Sequence, residues 1–497
     1  MTITLPPAGS VPANGPGGGG QLIYTAPMQS PTANVTRRTL LRGAAGGAAL
    51  LASTGLPAWA KPVTQAAAGI RKPDSLPFPH LPVGHPSMPK IEHIVVLMME
   101  NHSFDNLLGM VPYQVPGRGH VDGLARRKGR VTNSNPGPAG QRIFATHLPS
   151  PCQLTGAPGQ NWNASHISYA NGRNSGFVNA SGPIAMAFWD ETDLPFTYSL
   201  AKHFPIGERY FCSLLGQTDP NRRYMFAGTS SGLVATNTVQ SVTTPVANGT
   251  IFERLTAQGI DWGVYSEDIP SYLLIPAQAN AARQHPISQF YTDTAAGKLP
   301  PFTMLDPNYT TTSEEDPQDI QVGEEFVATI VRALMKAPTW KSTALFINYD
   351  EHGGYYDHVP PPRAIAPDSI GPIPPPGDTT PLLPGTFNRY GFRVPLFVVS
   401  PWAKANYTSR IVQDHTSVTA FIERKWNLPA MTFRDANAHS MTDYFDFRRP
   451  AFMKPPKLHP APGLDPGLAR CHAYGLNPPL PGAPSVGDDL ARAAGRV

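Results

Sequence analysis

The chain has 497 residues, with 39 lysines and arginines against 35 aspartates and glutamates, and a net charge of +4. Residues 1–60 contain three arginines and no acidic residue, so without them the charge falls to +1. No basic surplus remains that would indicate binding to nucleic acid. The three cysteines, Cys152, Cys212 and Cys471, permit at most one disulfide and leave an odd thiol.

The amino-terminal sixty residues have the features of an export signal. Arg37 and Arg38 precede a Gly/Ala-rich apolar stretch at 43–56, and Ala58-Trp59-Ala60 places small residues as a cleavage site requires. The segment resembles a twin-arginine signal, which predicts export by the twin-arginine machinery to the periplasm or the medium. The apolar stretch is shorter than the ~20 residues that a membrane-spanning helix needs. The alternative is a chance Arg-Arg pair in a disordered tail.

A buried strand is predicted at 94–99, where six apolar residues follow one another. Glu100 and Asn101 come directly after it, where a parallel strand delivers ligand-binding side chains. A polar pair that ends a buried strand is also commonly just the point where the chain reaches water. By themselves these two residues are therefore weak evidence of a functional site.

The second chemical motif is Gly216-Gln217-Thr218-Asp219-Pro220-Asn221-Arg222-Arg223. Thr218 is a candidate nucleophile if a nearby metal or base lowers the proton affinity of its hydroxyl. Arg222 or Arg223 would then stabilise phosphate oxygens. The alternative is structural, with Thr218 as the N-cap of a helix that carries surface arginines.

The third motif packs three carboxylates and two imidazoles into residues 350–358, directly after the apolar run 344–347. Adjacent carboxylates repel each other, so Asp350 and Glu351 either bind a cation or are fully solvated. If this strand lies beside the strand at 94–99, four oxygen ligands converge on one divalent ion. The alternative is a solvated acidic turn.

Strands and helices alternate between these motifs. Strands are predicted at 262–266 and 394–400, and helices at 323–335 and 417–426, the latter capped from Asp414 or Thr416. The motifs are spread from 100 to 415, which indicates one α/β core threaded by long insertions rather than two domains. The proline-dense segment 360–384 predicts an irregular loop at the rim of the site.

Three blocks carry a resemblance to a known family. They are Glu100-Asn101-x-Ser103-Phe104-Asp105, Thr218-x-Pro220-Asn221-Arg222 and Asp350-Glu351-His352-Gly353-Gly354-x-x-Asp357-His358-Val359-Pro360-Pro361. Shorter blocks in the same order run from Asn163-x-x-His166 to Asp414-His415-x-Ser417. Over roughly 90–440 the chain resembles the bacterial phospholipase C and acid phosphatase (phosphoesterase) family of the alkaline-phosphatase-like superfamily.

The resemblance implies an α/β fold with an alkaline-phosphatase-like three-layer core. Its central sheet is mostly parallel, helices cover both faces, and long loops are inserted. The predicted organisation is an export signal with a disordered leader at 1–60, a linker at 61–88, the phosphoesterase catalytic domain at 89–450 and a Pro-rich tail at 451–497.

The family pattern also implies roles for individual residues. It makes Thr218 the covalent nucleophile and a ligand of one divalent metal ion (Ca, Mg, Mn or Zn), together with Glu100, Asn101, Asp350 and Glu351. The remaining candidates are catalytic residues His166, Asp316, His352 and His415 and substrate-binding residues Arg222, Tyr265 and His358. His166 as a hydrogen-bonded loop residue and His415 as a capping-loop residue are the structural alternatives.

Asp316 is the main departure from the family, many members of which have histidine before a proline at this position. An aspartate cannot donate a hydrogen bond to phosphate unless it is protonated. The sequence therefore does not identify the residue that protonates the leaving group. Asp316 as the ligand of a second cation is the alternative.

The predicted function is hydrolysis of a phosphoester through a phosphothreonine. Threonine at 218 favours a phospholipase C that cleaves phosphatidylcholine-like lipids; a broad-specificity acid phosphatase is the alternative, and a binding or transferase relative without hydrolysis is a third. The implied partners are a phospholipid or small phosphoester, with transient contact to a membrane surface.

Overall fold

The computed structural model describes residues 69–148, 151, 158–275 and 281–462. An eight-stranded sheet forms the centre of this part of the chain. Its strands are β1 (His93–Met99), β2 (Ile206–Gly207), β3 (Trp262–Ser266), β4 (Gln284–Pro286), β5 (Phe302–Asp306), β6 (Thr343–Tyr349), β7 (Leu396–Val399) and β8 (Thr408–Ser409).

The strand order is β4-β3-β5-β1-β6-β7-β2-β8. The first five strands in this order are parallel to their neighbours, whereas β7 is antiparallel to both β6 and β2, and β8 is parallel to β2. The predicted α/β fold with a mostly parallel central sheet is confirmed.

The two central strands are buried along their whole length. In β6 every residue is buried, and in β1 every residue after His93 is buried, although successive side chains point to opposite faces of a sheet. Both faces are therefore covered, which explains why these strands read as continuous apolar runs rather than as alternating patterns.

The helices of the described residues surround this sheet. The α-helices are Phe104–Leu108, Val111–Gln114, Trp162–Tyr169, Phe177–Ser181, Pro195–His203, Thr218–Ala227, Thr238–Thr243, Ile251–Ala257, Ile287–Ala296, Ile320–Lys336, His415–Trp426 and Phe433–Ala436. The predicted helix at 323–335 is thus one turn longer at its start, where Asp319 caps it by accepting from the backbone N–H of Gln321.

Three short strand pairs lie in one loop region of the described chain. They are Arg126–Arg127 with Arg130–Val131, Ser134–Pro136 with Arg142–Phe144, and Thr146–His147 with Ala187–Phe188. These pieces belong to the insertions between β1 and β2 and do not extend the central sheet.

Residues at both margins of the predicted catalytic domain pack on it. The backbone N–H of Asp74 donates to the carbonyl of Ala430, and that of Ser87 donates to the carbonyl of Lys425. Phe452 is buried, and its carbonyl accepts from the Trp340 indole. The export signal at 1–60, together with Cys152 and Cys471, lies outside the described residues, while Cys212 is a buried free thiol.

Across the described ranges, none of the helices combines the length and apolar character that crossing a bilayer requires.

Candidate active site

The carboxyl ends of three neighbouring strands bring acidic side chains together. Met99 at the end of β1 pairs with Tyr349 at the end of β6, so the residues that follow both strands emerge side by side. The backbone N–H of Asn101 lies 3.3 Å from Oδ1 of Asp350, which joins the two loops. Asp306 ends β5 on the other side of β1. The adjacency of β1 and β6, on which the expected site depends, is present.

A glycine allows the two loops to approach this closely. Gly353 has a φ of 63°, and a Cβ at this position would lie 1.9 Å from the carbonyl oxygen of Asn101. Any side chain at 353 would therefore force the loop after β6 away from the loop after β1, and a left-handed φ is itself costly for a residue with a Cβ. Asn101 also adopts a left-handed φ, 64°, which asparagine tolerates better than most residues.

Arg222 holds the three strand ends through one guanidinium group. Its Nε donates to Asp350 at 2.9 Å, its Nη1 to Asp306 at 3.1 Å and its Nη2 to Glu100 at 3.2 Å. All four side chains are 0–2% exposed. Burial lowers the pKa of Arg222, but Tyr309 and the surrounding carboxylates outweigh that effect and raise it above its ordinary value, so the side chain stays charged. Arg222 was predicted to bind the substrate, but in the structure its donors are used by these three carboxylates.

Thr218 lies at the start of the helix that carries Arg222. The helix begins at Thr218 with Gln217 at the N-cap, so the structural alternative of a Thr218 cap is wrong. The half-buried Thr218 hydroxyl instead lies 3.3 Å from Oδ1 of Asn101. The first-turn N–H groups and the helix dipole favour an anion beside this hydroxyl.

The carboxyl groups at this site outnumber the guanidinium group that faces them. Oε1 of Glu351 is buried and accepts no hydrogen bond from the described residues. Burial raises the pKa of Asp350 to about 6, and burial together with Asp350 raises the pKa of Glu351 well above its ordinary value. One guanidinium therefore faces at least three buried carboxylates, and a divalent cation with oxygen ligands fits this excess.

Glu315 joins the same group of carboxylates, although no motif pointed to it. Its carboxyl lies within hydrogen-bonding range of Glu100, and its charge also raises the pKa of Asp350 and of Glu351. Oε1 of Glu315 accepts from the side-chain amide of Gln160 at 3.3 Å. The only sequence signal was its place beside Asp316, in the block that departs from the family.

Two predicted catalytic histidines are buried and neutral. Nε2 of His415 lies 2.7 Å from the backbone carbonyl of Asp350, and Nδ1 lies 2.9 Å from the hydroxyl of Tyr210. His352 packs against the ring of Phe392 at 4.5 Å. Burial lowers the pKa of His415 to about 4 and that of His352 to about 3. The helix begins at His415, two residues earlier than expected, and Asp414, one of the two expected capping residues, is its N-cap. The contact of His415 with the carbonyl of Asp350 positions the Asp350 backbone.

Asp316 lies next to Glu315 and faces a tyrosine. The hydroxyl of Tyr355 lies 2.9 Å and 2.8 Å from the two carboxyl oxygens of Asp316. Burial raises the pKa of Asp316 to about 7, and the bond from Tyr355 opposes this only in part. Asp316 is therefore able to carry a proton near neutral pH, which the sequence could not establish.

His358 belongs to a separate ionic network behind the loop after β6. Its Nδ1 lies 2.7 Å from Asp105 and its Nε2 lies 3.0 Å from Asp122, while buried Arg393 pairs with Asp105 and Asp357. Burial lowers the pKa of His358, but the two carboxylates outweigh burial and raise it to about 10. Both ring nitrogens of this predicted substrate contact are thus engaged by protein groups.

Two further candidates make their contacts elsewhere. The Tyr265 hydroxyl lies 3.0 Å from Asp293. Nδ1 of His166 lies 2.7 Å from the carbonyl of Trp162, and a Cβ on Gly385 would lie 2.3 Å from its Nε2. His166 lines a cavity of about 990 Å³ that also reaches Leu215, three residues before Thr218.

Two other groups of acidic and imidazole side chains have ligand atoms within 4.8 Å of one another, a spacing that could hold a cation and that the carboxylates of Glu100, Asp350 and Glu351 do not reach as a group. Within the described ranges they are Asp105, Asp357 and His358, and His147, Asp190 and Asp193. The first already neutralises Arg393. The second is partly exposed, with His147 at 39%, and the carboxylate of Asp190 already accepts from Thr192. The carboxylates that follow the strand ends, Glu100, Asp350 and Glu351, differ from both groups because the hydroxyl of Thr218, a candidate nucleophile, lies beside them.

Known proteins are similar to this chain over most of its length. The model of the Phosphoesterase family matches residues 91–429. Non-specific phospholipase C1 of Arabidopsis thaliana is 29% identical over 408 residues, which cover 75% of this chain and 74% of that protein. Phospholipase C B of Mycobacterium tuberculosis is 30% identical over 448 residues, which cover 77% of this chain and 82% of that protein.

Among solved structures, a protein in the alkaline phosphatase superfamily from Vibrio parahaemolyticus aligns with a TM-score of 0.32 and 10% identity. The alignment covers 61% of this chain and 72% of that one. The family match spans well over half of the 497 residues and includes Glu100, Thr218, Asp350 and Glu351. The chain belongs to the Phosphoesterase family and is a phosphoric ester hydrolase.

Proposed function

We propose that this protein is an exported, metal-dependent phospholipase C that cleaves a glycerophospholipid on the glycerol side of phosphorus. The curated relatives are named phospholipases C at about 30% identity, which supports this substrate class. The observation that carries the proposal is the Thr218 hydroxyl, 3.3 Å from Asn101, at the first turn of a helix and beside the carboxylates that Arg222 holds.

Thr218 acts as the nucleophile in this proposal. Its oxygen attacks phosphorus, the bond from phosphorus to the glycerol oxygen breaks, and diacylglycerol leaves. The phosphorylated head group then remains on Thr218 as a phosphothreonine diester. Water hydrolyses that ester, which releases the phosphorylated head group and restores the hydroxyl. The helix N-terminus helps to orient the phosphate oxygens.

Glu100, Asn101, Asp350, Glu351 and the Thr218 hydroxyl would hold one divalent cation. Such an ion, when bound, lowers the proton affinity of the hydroxyl and offsets charge on the transferring phosphoryl group. The fit rests on the buried, unpaired oxygen of Glu351 and on the carboxylate excess around Arg222. Arg222 and His415 act on the carboxylate geometry and not on the substrate.

Asp316 supplies the proton for the leaving group. Its pKa of about 7, set mainly by burial, leaves the carboxyl protonated in part of the molecules at neutral pH. A protonated carboxyl can donate to the departing glycerol oxygen, as a histidine would in other family members. Tyr355, bonded to both carboxyl oxygens, fixes the orientation of the Asp316 side chain.

The test is hydrolysis of phosphatidylcholine and of p-nitrophenyl phosphate, measured side by side for the wild type and for Thr218→Ala. We expect diacylglycerol release from the lipid by the wild type. We expect a loss of at least about a thousandfold in Thr218→Ala, with an unchanged thermal unfolding midpoint. Turnover of the monoester alone would identify an acid phosphatase, and residual turnover in Thr218→Ala near the wild-type rate would exclude the covalent mechanism.

Trapping the intermediate provides a second readout that does not depend on rate. Mass spectrometry of acid-quenched enzyme should find the added phosphoryl head group on the peptide that contains Thr218. The same peptide should stay unmodified in Thr218→Ala. Modification of a different residue would assign the nucleophile elsewhere while leaving the phospholipase activity itself intact.

The proposed export rests on Arg37 and Arg38 and the apolar stretch that follows them. Replacing both arginines by lysine keeps the charge but removes the guanidinium pair that twin-arginine signals share. We expect the variant to remain inside the cell, whereas the wild-type precursor is exported and processed. Equal export of both precursors would contradict this route.

A further inference from the structure

A cavity lies close to the motif that contains Thr218. It is formed by the helix Trp162–Tyr169 with the turn that follows, by Leu215 and by the loop 383–389, and it measures about 990 Å³. Leu215 precedes Thr218 by three residues, so their Cα atoms are at most about 11 Å apart. A phosphorylated head group spans a distance of this size together with the side chains of Thr218 and Leu215. The cavity is therefore within reach of a substrate whose phosphorus lies at Thr218.

Among the described residues that line this cavity there is no carboxylate, but there is a guanidinium. Arg389 stacks on the ring of Tyr169 at 4.7 Å and donates from Nη1 to the carbonyl of Pro361 at 2.7 Å. Among the described residues it forms no ion pair with an acidic side chain, and Arg363 is its partner in a backbone bridge. The guanidinium thus has donors left for a ligand.

One face of each of the two large aromatic rings that line the cavity is already covered by a neighbouring side chain. Arg389 covers Tyr169, and the His166 ring lies over Trp162 with 4.2 Å between ring centroids. A choline group needs an open aromatic face or a nearby carboxylate, and a fixed guanidinium repels it. The lining instead offers the amides of Asn171 and Asn388. These groups hydrogen-bond well to hydroxyls.

We propose that this cavity binds an uncharged polyol head group, such as the glycerol of phosphatidylglycerol, in preference to choline. The proposal rests on the phospholipase C function proposed above and narrows its substrate class. Arg389 and the two asparagine amides donate to or accept from the head-group hydroxyls, and Leu215 and Trp162 form the apolar walls. The reacting phosphate remains at Thr218.

The test uses dihexanoyl phosphatidylglycerol and dihexanoyl phosphatidylcholine below their micelle concentrations, so that attraction to a charged surface plays no part. We expect kcat/KM of the wild type to be about tenfold higher for the glycerol lipid, the usual size of one charge-assisted hydrogen bond. Arg389→Gln should bring the ratio of the two kcat/KM values close to one. The matched control is Arg126→Gln, because Arg126 is also stacked on a tyrosine, Tyr113, but lies outside the cavity.

Equal kcat/KM values for the two lipids in the wild type, or an unchanged ratio in Arg389→Gln, would overturn the proposal. A preference that appears only with vesicles would assign it to the membrane surface, which also overturns it. If neither lipid is hydrolysed, the phospholipase function fails separately. Calorimetric titration of the wild-type protein with each lipid then tests the head-group preference of the cavity. Tighter binding of the glycerol lipid, lost in Arg389→Gln, supports the proposal, and equal binding of the two lipids refutes it.

Discussion

Nε of Arg222 donates to Oδ2 of Asp350 at 2.9 Å, which links the helix that begins at Thr218 directly to the end of β6. Thr218 and Arg222 are four residues apart on this helix, so they lie on the same face. The position of the hydroxyl and the position of the carboxylates are consequently fixed by the same short segment. This explains why a guanidinium that resembles a substrate contact in the sequence is fully buried in the structure.

Arg222→Gln should destabilise the protein by about 3–5 kcal/mol, because three buried carboxylates lose the guanidinium group that they share. In the folded variant these carboxyl groups hold protons that the unfolded chain releases. The loss of folding free energy should therefore be larger at pH 8 than at pH 5. Chemical denaturation at both pH values measures it. Added divalent cation should recover part of the stability, since a metal ion can supply the missing charge. An Arg254→Gln control, which breaks a solvent-exposed pair with Asp74, should cost less than about 1 kcal/mol.

Glu351→Gln and Glu100→Gln should each lower the bound divalent metal and the activity together. Both substitutions remove a charge from the carboxylate excess that favours a cation. Metal content after dialysis, measured by mass spectrometry, is the readout, and Glu92→Gln at an exposed position just before β1 is the control. Full metal occupancy in both site variants would show that the ion binds elsewhere in the molecule.

Glu315→Gln should weaken metal binding less, by roughly tenfold, because Glu315 is half-buried and already accepts from Gln160. Calorimetric titration of the metal-free protein with Mn²⁺ or Ca²⁺ gives this difference without any assay of turnover. An unchanged dissociation constant would leave Glu315 as a neighbour of Glu100 with no part in holding the ion.

Asp316 should make substrate preference depend on pH. Burial raises its pKa to about 7, so above that pH an ionised carboxylate repels a dianionic monoester more strongly than a singly charged diester. The ratio of diesterase to monoesterase activity, measured with bis-p-nitrophenyl phosphate and p-nitrophenyl phosphate, should therefore rise between pH 6 and pH 8. Asp316→Asn should flatten this rise beyond what the titration of the monoester itself produces, and Asp316→His should favour the monoester. Parallel profiles for all three proteins would place Asp316 away from the phosphate.

The sequence predicted the sheet and the strand-end residues because both depend on local patterns. A continuous apolar run followed by polar or acidic residues identified β1 and β6, whereas their adjacency was only a condition of the expected site and is established by the strand order. The partner of each charged side chain was not predictable in this way. Which carboxylates Arg222 contacts depends on the phase of its helix against the sheet, and Glu315 reaches Glu100 through a loop whose path has no periodic signal.

The predicted histidine contacts illustrate the same limit. His358 and His166 were selected by type and by their place in a motif, which does not report the direction of the ring. In the structure, His358 is turned to Asp105 and Asp122, while His166 lies against Trp162 and Gly385. Long-range partners such as Asp122 could be identified only from coordinates.

His358 should stabilise the fold in a way that vanishes at high pH. Burial alone lowers the pKa of this imidazole, but Asp105 and Asp122 raise it to about 10, against about 6.5 for an unfolded histidine. The folded protein therefore binds a proton that the unfolded chain releases between these pH values. The stabilisation is complete below about pH 6.5 and is lost as the pH rises through about 10.

His358→Gln keeps hydrogen-bonding capacity but cannot carry the charge, so it should cost a few kcal/mol at pH 6 and much less at pH 10. Free energies of unfolding from urea titrations at the two pH values provide the comparison. His285→Gln is a suitable control, because His285 contacts the ring of Tyr265 and has no carboxylate partner among the described ion pairs. Equal losses at both pH values would mean that His358 is held by packing rather than by its charge, and that Asp105 and Asp122 are neutralised by Arg393 or another group instead.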